Sequence, residues 1–292
     1  MKLSNYLKAA ALATATCLAS TSALADGPAV VSFDYGALDT LIALGQQQHV
    51  LAVPKSGLPA YLEEATAALP DAGTLKVPDM AALKSLQPEL VLVTGRQGEA
   101  VEELETFTKT NDVSLSDGAY RDSLEDKVMD LAALYGVEEA AHEQLDALWQ
   151  HARQQRSRLP ADARVVVLTH NAGRFSLRNA AVVSDVLGLQ RPAIPDNVEA
   201  VKRGSRVFYP MTAETLVEMA PDLVLVVDRS AAIGKEPMPE GALSNALAEA
   251  GGEDIPVVLL DPALWYLSGA GLQSTQLQID EVTAAVTANA GL

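Results

Sequence analysis

Short apolar runs recur along the chain, with segments of helical spacing between them. Val30–Phe33, Val50–Val53, Leu90–Thr94, Arg164–Thr169, Leu223–Val227 and Val257–Leu260 are predicted as strands. Several are apolar throughout, the pattern of strands covered on both faces, and intervening helices make the sheets parallel. Glu138 to Leu159 differs: it holds neither Gly nor Pro, and Pro160 closes it. As one helix it would run about 33 Å. Lying near the middle of the chain, it suits a stiff connector between two lobes, with a solvated helical arm as the alternative.

An internal echo supports two lobes. Pro88-Glu89-Leu90-Val91-Leu92-Val93 and Arg96 reappear as Pro221-Asp222-Leu223-Val224-Leu225-Val226 and Arg229, at a constant offset of 133 residues. Each copy reads as Pro, acid, buried strand, then Arg just past the strand's C-terminal end. Open α/β sheets bind ligands beyond those ends. Two facing lobes would therefore aim Arg96 and Arg229 into a shared cleft, although two merely solvated arginines give the same pattern.

The start of the chain reads as a secretion signal over residues 1–25. Lys2 and Lys8 precede an alanine-rich apolar run, and Ala23-Leu24-Ala25 fits a cleavage site. Cys17, the sole cysteine, would leave with it, so no disulfide or thiolate metal site is expected. Cleavage takes the formal charge from −17 to −19. Such acidity argues against nucleic acid as a partner, and an anionic ligand would need a local arginine cluster.

No motif recommends an enzyme. There is no Gly-x-Ser-x-Gly elbow, and Gly234-Lys235 is followed by Glu236 instead of a phosphate-loop Ser or Thr. Glu63-Glu64, Glu102-Glu103 and Glu138-Glu139 read as solvated helix faces. His142 and His151 stand nine apart, not at the spacing of a shared metal face, and both are expected in solvent, as is His49. His170 ends a strand, so it either faces the cleft or is hydrogen-bonded in a loop.

Several segments together resemble the class III periplasmic binding proteins, and within them the catecholate-siderophore binders of the enterochelin and petrobactin type. They are Ser32-Phe33-Asp34-Tyr35-Gly36, Val53-Pro54-Lys55-Ser56-Gly57, Thr94-Gly95-Arg96-Gln97, Asp185-Val186-Leu187-Gly188, Val227-Asp228-Arg229 and Asp261-Pro262-Ala263-Leu264-Trp265-Tyr266. The resemblance implies an α/β fold of two Rossmann-like lobes joined by one long helix. It divides the chain into a lobe at 26–137, a connector at 138–160 and a second lobe at 161–292. It also implies no intrinsic cofactor, a periplasmic monomer, Fe(III) carried inside a bound siderophore, and an ABC-importer permease as the receiving partner. Rival ligands are a hydroxamate siderophore, haem or cobalamin, and a sensory or scaffold module is the rival of another class.

Arg96 and Arg229 match the family's ligand-contacting arginines. A fork of donors on a flat cation suits an anionic, planar catecholate. The loop from His170 to Ala181 is shorter than the family's, which leaves Arg178 or Arg174 to supply a third arginine, with a surface role open to each. Tyr266 matches a tyrosine that ligates iron in some relatives; a phenolate is a hard oxygen donor. Val207 stands where the family has the partner histidine, so Tyr209 is the remaining candidate for a second oxygen, or else an apolar wall. Tyr35 and Trp265 are expected as aromatic walls. For permease docking, Glu214 matches the family's second-lobe glutamate and Asp79 is the nearest first-lobe acid.

Overall fold

The computed structural model describes residues 27–204 and 206–289. The signal segment and Cys17 lie outside them. Two separate sheets organise the chain. The first comprises β1 (Val30–Ser32), β2 (Val50–Ala52), β3 (Leu90–Val93) and β4 (Lys109–Asp112), all parallel, in the order β2-β1-β3-β4. The helices of this half are α1 (Tyr35–Ala43), α2 (Ala60–Thr66), α3 (Met80–Leu86), α4 (Ala100–Leu104) and α5 (Tyr120–Ala133). Both sheet faces are dry, as the apolar runs require. Val30, Leu90 and Leu92 pack in a cluster with Leu38 and Leu131, while Val31, Val91 and Val93 pack with Leu83 and Leu104.

Next comes α6 (Glu138–Arg156), the predicted connector. It stops short of Leu159, because Ser157 caps it by donating to the Arg153 carbonyl and the chain tightens before Pro160. Its buried residues, Ala141, Leu145, Leu148, Trp149 and Ala152, form one stripe at helical spacing. That stripe joins a core that also holds Leu124 and Val128 of α5.

The second sheet follows. Its members are β5 (Val165–Asn171), β6 (Arg174–Leu177), β9 (Pro210–Met211), β10 (Leu223–Asp228) and β11 (Val257–Leu260), ordered β11-β10-β5-β6-β9. A separate ribbon of β7 (Val201–Arg203) and β8 (Arg206–Phe208) precedes β9. The remaining helices are α7 (Ala213–Met219), α8 (Arg229–Ala232), α9 (Ala242–Glu249), α10 (Pro262–Tyr266) and α11 (Leu272–Asn289).

All six predicted strands form. The wholly parallel arrangement holds for the first sheet and for β5, β10 and β11, but β6 is reversed and pairs antiparallel with both β5 and β9. The cause is local. Ala172 (φ 51°) and Gly173 (φ 75°) adopt the left-handed pair of a two-residue hairpin, so the expected loop after β5 doubles back as a strand.

The echo at offset 133 is structural. β3 and β10 hold the same inner place, each beside the first strand of its lobe. Their preceding helices are capped by Asp79 and Thr212, and end on left-handed Gln87 (φ 52°) and Ala220 (φ 46°).

The two halves also meet through a buried carboxylate. Asp39 of α1 accepts from Tyr61 Oη and from the Gln273 and Ser274 amides, the free donors at the start of α11. Gly271 permits the approach, since a Cβ there would lie 2.3 Å from an Asp39 oxygen. Burial raises the Asp39 carboxyl to about 6 despite those hydrogen bonds.

Candidate functional site

The repeat brings Arg96 and Arg229 to one side chain, Tyr266. Asp261 caps α10 and accepts from Leu264 N–H, while Pro262 opens the helix. Tyr266 ends that short helix. Its hydroxyl accepts from Arg229 Nε at 2.6 Å, and its carbonyl accepts from Arg96 Nη2 at 2.7 Å. Both guanidinium carbons lie over its ring, at 5.4 and 5.8 Å from the centroid. Arg178 completes the group by donating to the neighbouring Trp265 carbonyl at 2.6 Å.

Beside this junction lies a cavity of about 980 Å³. Arg174, Arg178, Arg191 and Arg229 line it, with Tyr209, Tyr266 and Phe208, and among the described residues no aspartate or glutamate does. Among the described residues none of Arg96, Arg174, Arg178, Arg191 and Arg229 is ion-paired with a carboxylate. In a chain with 38 acids against 21 bases, that is a marked local inversion of charge. Arg178 Nε is buried with no hydrogen-bond partner among the described residues. Burial holds this guanidinium below its ordinary range; Tyr266 opposes the shift and Arg96 adds to it. A desolvated cation of this kind is costly until an anion meets it.

Most of the expected site residues converge here. Arg96, Arg229, Arg178 and Tyr266 make direct contacts, and Tyr209 lines the cavity. Two aromatic walls are corrected. Tyr35 is fully buried and its hydroxyl donates to the Pro54 carbonyl at 3.0 Å, so it is core. Trp265 turns its ring inward and donates from Nε1 to Glu281 at 2.6 Å; only its carbonyl reaches the site. His170 is buried against Asp228 and is not presented to the cavity. Val207 does line it, 48% exposed. Asp79 and Glu214 lie elsewhere, Asp79 as the N-cap before α3 and Glu214 exposed in the first turn of α7.

Sequence reasoning missed Asn171 and Arg191. Asn171 accepts from Arg229 Nη1 at 2.7 Å, and Arg191 donates to Asn179 at 2.8 Å. The Asn171 contact follows from the register of β5 with β10, which aligns His170 with Asp228 and so places Asn171 beside Arg229. Arg191 sits in irregular chain and carries no periodic signal.

The periplasmic binding protein family matches residues 30–251. The chain belongs to this family. Petrobactin-binding protein YclQ of Bacillus subtilis is 30% identical over 266 residues, spanning 87% of this chain and 80% of that protein. The YclQ crystal structure aligns with a TM-score of 0.76 at 27% identity, covering 90% of this chain and 93% of that one. Ferric-anguibactin-binding protein FatB of Vibrio anguillarum is 26% identical over 269 residues, covering 87% of this chain and 80% of FatB. The iron-uptake substrate-binding protein PiuA of Streptococcus pneumoniae aligns at TM-score 0.74 and 26% identity, over 88% and 93% of the two chains. The fold is therefore the class III periplasmic binding fold expected from the sequence.

Proposed function

We propose that this periplasmic binding protein captures a ferric siderophore, of catecholate type, and delivers it to an ABC-type permease without chemical conversion. The observation that carries the reading is the set of carboxylate-free arginines around Tyr266. A ferric catecholate is a multiply anionic, flat-ringed complex, and each guanidinium offers it several charge-assisted donors. The relatives named for petrobactin and ferric anguibactin support the same ligand class.

The iron arrives with its chelator as cargo. Among the described residues the cavity lining holds no His, Asp or Glu, and the Tyr266 hydroxyl is already engaged by Arg229. We therefore take the ligand's six iron positions to be filled by the siderophore itself, with Tyr266 as a hydrogen-bonding surface. Native mass spectrometry of the protein purified from an iron-starved culture tests the reading. The expected result is a co-purified iron chelate; a purified protein that takes up no ferric chelate on addition would overturn it.

The lobes are taken as residues 26–137 and 161–292, with 138–160 between them. Glu214, exposed and held below the usual carboxylate range by its hydrogen bond with Thr212, is the acid we assign to permease docking, with Asp79 on the other lobe. Glu214→Ala should slow uptake in reconstituted vesicles and leave chelate affinity unchanged. Equal uptake by variant and parent would remove it.

A further inference from the structure

Three consecutive side-chain contacts extend the pairing of β5 with β10, each joining residues 58 apart. His170 Nδ1 meets Asp228 Oδ1 at 2.8 Å, Asn171 Oδ1 accepts from Arg229 Nη1 at 2.7 Å, and Ser230 Oγ accepts from Ala172 N–H at 3.0 Å. The middle contact faces the cavity. The first is buried, with the His170 and Asp228 side chains 3% and 4% exposed.

The hydrogen bonds fix the role of each His170 nitrogen. Nε2 lies 3.0 Å from the Gly173 amide, which has only a proton to give, so Nε2 accepts. The ring proton therefore sits on Nδ1 and is donated to Asp228. That carboxylate in turn accepts from the Ser230, Ala231 and Met238 amides, which caps α8. Arg229 is the first residue of α8. One face of the ring thus sets the backbone from which Arg229 projects. The other closes the Ala172-Gly173 turn behind Asn171, the residue that holds the Arg229 guanidinium.

We propose that His170 is a positioning residue for ligand capture, holding Arg229 in its binding orientation from two sides: through Asp228 and the α8 cap, and through Gly173 and Asn171. The inference rests on Arg229 being a ligand-contacting residue, as argued above. It differs from an ordinary buried histidine in one testable respect: its effect on binding passes through Arg229.

Two variants separate the supports. His170→Asn keeps a donor near the Nδ1 position and loses the acceptor for Gly173. His170→Gln keeps an acceptor near Nε2 and loses the Asp228 contact. Each is made alone and combined with Arg229→Ala, and affinity for a ferric tris-catecholate probe is measured by fluorescence quenching. Hydrogen bonds to charged groups are worth about a tenfold change in affinity, and a loss of that size is expected for His170→Gln, with a smaller one for His170→Asn. Neither should add to the loss already caused by Arg229→Ala. Equal losses with and without Arg229, or no loss in either single variant, would overturn the proposal.

A ligand-free readout keeps this test apart from the ligand assignment. In arginine-labelled protein, the Arg229 Nε–H NMR signal reports its bond to Tyr266. Both His170 variants should shift it while leaving the Arg164 signal in place. An unmoved Arg229 signal contradicts the positioning role even if the probe fails to bind, and a parent protein that ignores every ferric catecholate contradicts the ligand class alone.

Discussion

Arg96 and Arg229 occupy the same position of the internal repeat, yet their turns are built differently. In the first lobe a neutral side chain does the holding. Gln97 is buried, accepts from Thr94 N–H at 2.6 Å, and donates to the Phe33 and Leu75 carbonyls. Arg96 itself is exposed, and among the described residues its guanidinium has one hydrogen bond, reaching across to the Tyr266 carbonyl. In the second lobe a buried carboxylate caps the turn, and Arg229 is braced by both Asn171 and Tyr266 Oη. The large cavity is lined by second-lobe residues throughout. One lobe thus offers a prearranged cation, the other an adjustable one. Prearrangement lowers the ordering cost of binding, so the two arginines should not be equivalent.

The first expected effect tests that asymmetry. Arg229→Ala should weaken a ferric catecholate by about tenfold or more, and Arg96→Ala by less, since one charge-assisted contact contributes about 1.5–3 kcal/mol. Parallel titrations decide it, and a larger loss at Arg96 would reverse the comparison.

A second effect concerns the buried carboxylate that joins α1 to the start of α11. Asp39 binds its proton more tightly in the fold, near pH 6, than in the unfolded chain, near 3.9. Its contribution to stability is therefore full below about pH 4 and is lost as pH rises through 6. The change is on the order of 3 kcal/mol. Urea unfolding between pH 4 and 7 should show this component in the parent and lack it in Asp39→Asn. Identical pH slopes would detach Asp39 from the account.

The smallest effect belongs to Tyr266→Phe. It removes the acceptor of Arg229 Nε but leaves the backbone carbonyl that accepts from Arg96. We expect a loss of a few-fold and an unchanged visible spectrum of the bound iron chelate. Disappearance of a phenolate-to-iron band in the variant would show that Tyr266 ligates the metal.

The architecture was legible because its signals are local and repeated. Two-sided burial produced apolar runs at each inner strand, and the Pro-acid-strand-Arg echo placed both arginines just past the ends of matched strands. What stayed hidden depends on contacts that no local pattern encodes. β4 reads Lys109-Thr110-Asn111-Asp112, an edge strand with no apolar run. β6 arose from a hairpin that requires Ala172 in a left-handed conformation, which an alanine does not advertise. Tyr35 and Trp265 carry one polar atom each, and the sequence does not say whether it meets a ligand or an internal partner. Here those partners are the Pro54 carbonyl and Glu281. Arg178 was found by position, but its unpartnered Nε emerges only from packing.

The central claim is that unpaired arginines select an anionic chelate, and the charge of the ligand tests it most directly. Fluorescence titration of the parent protein with a trianionic ferric tris-catecholate and a neutral ferric tris-hydroxamate compares two fully coordinated complexes. With two or more charge-assisted contacts in play, the anionic complex should bind at least about a hundredfold more tightly, and raised salt should narrow the gap. Equal affinities, or a preference for the neutral complex, would contradict the account.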